Sequence, residues 1–247
     1  MVAFKKSKSV FETSFAPKCI DAHPEGEITQ AAGMFCFPDG ISLRKQISPP
    51  ESFSFIITQE DGSRVYCTCL CFQEPLSSEM KKRLGIPVIG AGTGGYGKNE
   101  VFVSKAIVLM SHFPFSKNYK GLLSQIYRLS LSKSEVPLER IVSNVINDLR
   151  FPPLSETNFS TVNFGIGNES LFFRNTISFP FLSSDCLQNL FLLLRSDQIV
   201  DLVEALMLER KILLISKHKS LLTQVSEALV CLLYPFVWTH VLIPVEI

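Results

Sequence analysis

Residues 205–245 read ALMLERKILLISKHKSLLTQVSEALVCLLYPFVWTHVLIPV, and the change of pattern inside this stretch decides the fold class. KILLIS (211–216) is a short, β-branched apolar run of the kind that forms a buried strand. Ser220 to Leu233 comes next with helical periodicity and is halted by Pro235, because an interior proline removes a hydrogen bond and clashes with the preceding turn. HVLIPV (240–245) is a second strand-like run, so strand, crossover helix and strand predict a parallel βαβ unit. Upstream, LSSDCLQNLFLLLRS and SDQIVDLVEALMLE predict two helices that meet near Ser196, an N-cap candidate with Asp197 in the favourable first turn.

Earlier in the chain the pattern is different. FSFIITQEDGSRVYCTCLCF (53–72) has two apolar, β-rich runs flanking Asp61-Gly62, a pair suited to a tight hairpin turn. KAIVLMS (105–111) reads as a further strand, and the first hundred residues are expected to be mostly antiparallel sheet. Two helices come after it, one across about residues 117–131 and one after Pro137, where Leu138, Ile141, Val142, Val145, Ile146 and Leu149 form a helical stripe. Pro152-Pro153 forbids continuation and opens the polar segment LSETNFSTVNFGIGNES. The expected division is therefore residues 1–150 and 151–247, with an α/β fold, α+β overall.

GIPVIGAGTGGYGKNE (85–100) carries Gly92, Gly94 and Gly97 at the spacing of a dinucleotide loop, and Gly92 to Lys98 fits a phosphate-loop spacing as well. Such loops work by delivering N–H groups and a helix dipole to an anion. Here the adjoining NEVFVSKAIVLMS is strand-like, and Asn99 stands where a Mg²⁺-binding hydroxyl belongs. The stretch reads as a flexible connection between strands. Cys67, Cys69 and Cys71 share one face of a strand by alternation, and their spacing does not suit a zinc knuckle, so they read as small buried hydrophobes. No catalytic group, metal-ligand set or cofactor motif is read from the chain.

Hydrophobic residues make up 46% and charged residues 19% of the 247, a globular composition. The 24 basic and 23 acidic side chains nearly cancel, which argues against nucleic acid as the partner. The N-terminal MVAFKKSKSVFETSF has no apolar run of the secretory type, and seven cysteines suit a reduced, cytoplasmic protein. Ala228 to Val245 runs 18 residues without Asp, Glu, Lys or Arg, but Pro235 in its middle argues for a helix end and a strand rather than a transmembrane segment.

FCFPDGI (35–41), the hairpin of 53–72, KAIVLMSHFPF (105–115) and PLERIVSNVINDLRFPP (137–153) resemble, in that order, the upstream module of the DENN domain family. Residues 205–245 resemble the start of the family's central module, through Leu208-Glu209-Arg210, ILLIS, Ser226-Glu227-Ala228, Tyr234-Pro235-Phe236, Trp238 and His240. The resemblance implies a longin-like lobe over 1–150, with a mainly antiparallel sheet and helices, and a partial central lobe over 151–247. It also implies a guanine-nucleotide exchange factor for a Rab-type small GTPase in vesicle trafficking, with no covalent chemistry and peripheral association with vesicle or organelle membranes. The alternative it implies is a DENN-like adaptor that binds a GTPase or trafficking complex without exchange.

By the rule that loops at strand C-terminal ends carry α/β sites, Ser216, Lys217, His218, Lys219 and Ser220 are the partner-binding candidates. Asp39, Gly40, Asp61, Gly62, Glu209, Arg210, Pro235, Phe236, Trp238 and His240 match family positions and are expected to be structural. The family's central module normally continues beyond the point matched by Glu246-Ile247, which implies an open edge on the βαβ unit.

Overall fold

The computed structural model describes residues 11, 13–23, 28–86, 100–113, 115–132, 137–148, 159–162, 171–174 and 184–243. The elements in chain order are α1 (Ile28–Cys36), β1 (Leu43–Arg44), β2 (Glu51–Thr58), β3 (Arg64–Pro75), α2 (Ser78–Arg83), β4 (Phe102–Ser111), α3 (Ser116–Leu131), α4 (Leu138–Asp148), β5 (Phe159–Val162), β6 (Leu171–Arg174), α5 (Ser184–Leu193), α6 (Ser196–Met207) and α7 (Lys219–Leu232). A four-stranded sheet has the order β1-β4-β3-β2, and β5 pairs antiparallel with β6. The fold is a mixed α/β arrangement built on an antiparallel sheet, as the sequence leads one to expect. Two compact units divide the described residues: those up to Glu51 with Leu70–Ile107, and Ser52–Cys69 with those from Val108 onward.

In the first unit, Leu43 pairs with Val103, and a small core forms from Leu43, Leu76 and Val101 with Phe11, Leu84, Ile86 and Val103 packed on it. The turn at Pro38–Gly40 needs a left-handed residue, and Gly40 supplies it with φ of 76°. Ser14 Oγ donates to the Asp39 carbonyl at 2.6 Å beside it. Helices α1 and α2 add to a first hundred residues expected to be mostly antiparallel sheet. In α2, Ser77 Oγ accepts from the Met80 amide at 3.3 Å, Glu79 sits in the first turn and Lys81, Lys82 and Arg83 in the last. This is the charge order that favours a short helix between strands.

The second unit holds the β2–β3 hairpin. Gly62 (φ 80°) turns it, the Gln59 amide donates to the Ser63 carbonyl at 2.9 Å, and the Ser63 amide donates to Asp61 Oδ1 at 2.9 Å. Cys67 and Cys69 are fully buried on β3, while Cys71, in the other unit, is half-buried. Helix α3 buries Tyr119, Leu122, Leu123, Ile126 and Leu129, one face at helical spacing. The Tyr119 hydroxyl bonds Ser111 Oγ at 2.8 Å. Helices α5, α6 and α7 close around Cys186, Leu190, Ile199, Leu206, Val225, Ala228, Leu229 and Leu233.

Two expectations change here. The helix between KILLIS and HVLIPV is in place as α7, but residues 211–216 and 240–243 form no ladder with a described strand, so no parallel βαβ unit is seen among the described residues. The alternation of a strand survives nonetheless: Ile212 and Leu214 pack on the helical core, while Leu213 and Ile215 are 72% and 87% exposed. Apolar alternation fixes which side chains face the core. Pairing needs a neighbouring strand as well. The second change is at α6, which begins one residue earlier than expected: its N-cap is Arg195, whose amide donates to Gln198 Oε1 at 3.1 Å, and Ser196 is already helical.

The glycine loop lies in residues 87–99, outside the described residues. The next element in the chain is strand β4, where a phosphate-binding loop would need a helix. No described helix is long and apolar enough to cross a membrane, and in the apolar run of 228–245 the helix stops at Leu232.

Candidate functional site

Helix α7 is apolar on most of its surface but carries Ser220, Thr223, Gln224 and Glu227 at i, i+3, i+4 and i+7. That spacing sets four polar side chains on one face. Thr223 is 2% exposed and its hydroxyl donates to the Ser54 carbonyl on β2, satisfying an acceptor on the last strand in the sheet order. Ser54 Oγ lies 3.1 Å from Thr68 Oγ1 on β3, and Asn189 Nδ2 of α5 donates to Gln224 Oε1 at 2.5 Å. Glu227 Oε2 accepts a long bond from the buried Cys186 thiol, 3.8 Å away, and Oε1 is out of contact with water and has no hydrogen-bond partner. Burial pushes the Glu227 carboxyl up to about 7, with the thiol opposing weakly.

The polar face of α7 borders a cavity of about 80 Å³, completed by residues of β2, β3, α3 and α5. Lys117 and Lys120 of α3 stand at its solvent side.

The five partner-binding candidates divide at the start of α7. Ser216, Lys217 and His218 are exposed, and the His218 amide donates to Ser216 Oγ at 3.1 Å, which shapes the loop as a serine turn. Lys219 and Ser220 turn inward. The Lys219 ammonium sits over the Phe53 ring, 5.3 Å from its centroid, and Ser220 lines the cavity.

A second constellation gathers the family-matched residues of the C-terminal half. Helix α6 ends with Glu209 in the left-handed region (φ 54°), and the Arg210 amide reaches back to the Ala205 carbonyl at 2.9 Å. The Glu209 carboxylate meets His240 Nε2 at 3.2 Å, and the His240 ring stands edge-on to Trp238 with centroids 5.1 Å apart. Arg64 of β3 donates to the Trp238 carbonyl at 2.5 Å. Pro235 comes after a cis bond, and Phe236 is 67% exposed. The arrangement ties the chain end after α7 to the α6 C-terminus and to the hairpin. Among the described residues no cluster of three His, Cys, Asp or Glu is arranged to hold a metal ion.

The family model described as "DENN (AEX-3) domain" matches residues 102–246, and the uDENN domain model matches 17–72. The chain belongs to the DENN family. The Arabidopsis thaliana protein "DENN domain and WD repeat-containing protein SCD1" is 28% identical over 216 residues, which cover 86% of this chain and 17% of that relative. The chain thus spans 17% of the length of that curated relative. DENN proteins are in general nucleotide exchange factors and not enzymes of covalent chemistry.

Of the five loop candidates only Ser220 lines the cavity, and sequence reasoning missed the rest of its lining. The polar stripe Thr223, Gln224, Glu227 on an otherwise apolar helix was the available signal. Lys117 and Lys120 gave none, since exposed lysines near a helix start read as a solvated face.

Proposed function

We propose that this chain promotes GDP release from a Rab-type small GTPase, as part of an exchange factor acting in membrane trafficking. The observation that carries the reading is family membership through two consecutive modules, residues 17–72 and 102–246. A DENN-type factor needs no covalent machinery. It binds the nucleotide-free GTPase more tightly than the GDP-bound form, and by linkage it weakens GDP affinity by the same ratio, so that GTP can take the emptied pocket. Ordering or displacing the GTPase switch segments is the physical means.

Within this reading, residues 1–150 act as the longin-like lobe and 151–247 as part of the central lobe. Ser216, Lys217 and His218 supply contacts to the GTPase, with Lys219 and Ser220 anchoring their loop. The exposure of the first three, and the inward anchorage of the last two, support that division of labour. The protein works from the cytoplasm, where it associates peripherally with vesicle membranes.

Release of a fluorescent GDP analogue from a panel of Rab proteins tests the proposal. Acceleration of at least one member is expected, and Lys217→Glu combined with His218→Ala should lower kcat/KM for that member about tenfold, the effect of losing about 1.4 kcal/mol of binding. Equal affinity for nucleotide-free and GDP-loaded GTPase would instead identify an adaptor, because equal affinity shifts no equilibrium.

A further inference from the structure

Glu227 lies on α7 in the seam that this helix shares with α5 and the β2–β3 hairpin. Its two carboxyl oxygens are poorly provided for: Oε2 has the Cys186 thiol at 3.8 Å, and Oε1 is buried with no hydrogen-bond partner among the described residues. A neutral carboxyl tolerates such a setting, whereas a carboxylate loses its hydration there and gains little in return. The adjoining cavity of about 80 Å³ gives water a way in. Its surface is more apolar than polar, Ser52 Oγ lines it without a partner, and the exposed Lys120 stands toward solvent.

The polar ties nearest to Glu227 are of a different kind. One turn earlier on α7, the Thr223 hydroxyl donates to the Ser54 carbonyl and Gln224 Oε1 accepts from Asn189, and neither bond contains a group that titrates near neutrality. That part of the seam is indifferent to pH, so a response is confined to the turn holding Glu227. The titratable and charged groups around it are Cys186 on α5, Tyr66 on β3 beside Arg64, Lys117 and Lys120 on α3, and Cys231 one turn along α7. Strand β2 lines the cavity with no titratable side chain, and α6 meets α7 through apolar residues. Burial pushes the Tyr66 hydroxyl and the Cys231 thiol up, which keeps both neutral at pH 7.

We infer that the α5–α7 seam at Glu227 and Cys186 is a proton-controlled gate: with the carboxyl protonated the seam is closed over the thiol, and with it ionised water enters through the cavity and the thiol becomes reachable. Burial sets the working range, moving the Glu227 carboxyl from 4.5 to about 7 in the closed seam despite the lysines at the cavity. An acid whose proton is held more tightly when closed favours closure fully below about pH 4.5, loses that preference as pH rises, and changes no further above about 7. Opening should therefore increase about tenfold per pH unit between pH 5 and 7 and then level off.

Thiol labelling of the full chain with 4,4′-dithiodipyridine, read by mass spectrometry of the peptide containing Cys186, tests the gate. Dividing the rate in the urea-unfolded chain by the native rate at the same pH removes the reagent's own dependence on thiolate and leaves the protection. Protection of Cys186 should fall about tenfold per pH unit between pH 5 and 7, and Glu227→Gln should make it independent of pH in that range. Cys69, fully buried on β3, supplies a comparison that needs no variant. Its protection should exceed that of Cys186 at least tenfold at pH 7.5 and drop in 1 M urea, where that of Cys186 should hardly change, because a local opening exposes little surface. A wild-type profile flat in pH, an unchanged slope in Glu227→Gln, or equal protection and equal urea dependence at Cys186 and Cys69 would each overturn the gate.

Discussion

Single residues carry costs in this fold that neighbours do not reveal. Glu227 is an acid whose proton is held more tightly in the native state, with a carboxyl moved from 4.5 to about 7 by burial. Stability is therefore full below about pH 4.5 and falls as pH rises towards 7, above which the ionised native carboxylate has cost about 3 kcal/mol. Glu227→Gln should flatten stability between these limits and leave the variant more stable than wild type at pH 8, measured by urea unfolding at several pH values. Glycines give a second contrast. A Cβ at Gly40 would meet Ser14 Oγ and lie 3.0 Å from the Phe15 carbonyl, whereas Gly62 has nothing within 4 Å. Both have positive φ. Gly62→Ala should cost about 1 kcal/mol for backbone strain alone, and Gly40→Ala about 2 kcal/mol or more, with thermal denaturation separating the two.

At the scale of elements, helix α3 shows how a legible stripe can hide an exception. Its apolar face is readable at i, i+3, i+4, i+7 spacing, and α3 and α4 lie within a residue or two of where the sequence sets them. Gln125 sits on the same buried face, 4% exposed, with neither amide atom hydrogen-bonded. Replacing an unpartnered buried amide by an apolar group of similar length removes a desolvation cost, so Gln125→Met should stabilise the chain by about 1–2 kcal/mol in chemical denaturation. The hairpin was legible too, because Asp61-Gly62 supplies both a side-chain acceptor for the Ser63 amide and a left-handed residue, which a turn between two apolar runs needs. Helix α1 was not: it has nine residues, and its end, MFC, runs on into Phe37 as an apolar stretch that suits a strand equally well. The start of α6 shows the same limit, since Ser196 is a good cap by type yet the chain caps one residue earlier with Arg195.

At the scale of the whole molecule, local pattern gave the mixed α/β class and the order of segments gave the family, while sheet pairing and the cavity depended on contacts between residues far apart in sequence. Thr223 and Ser54 are 169 positions apart, and no periodicity in either segment announces their bond. The exposed loop at Ser216–His218 could be read because a short local rule locates it, and the Rab panel with the Lys217 and His218 substitutions tests its role at this scale. Loop variants should leave the melting temperature unchanged, since none of the three side chains is buried.

Residues 211–216 also bear on how the chain behaves at high concentration. An extended backbone with Leu213 and Ile215 turned to water has the geometry that recruits another chain edge to edge. Static light scattering of the purified chain should show apparent mass rising with concentration, and Ile215→Lys should suppress that rise without lowering the melting temperature. Colloidal stability would then depend on apolar side chains, Leu213 and Ile215 among them, that the fold leaves in solvent.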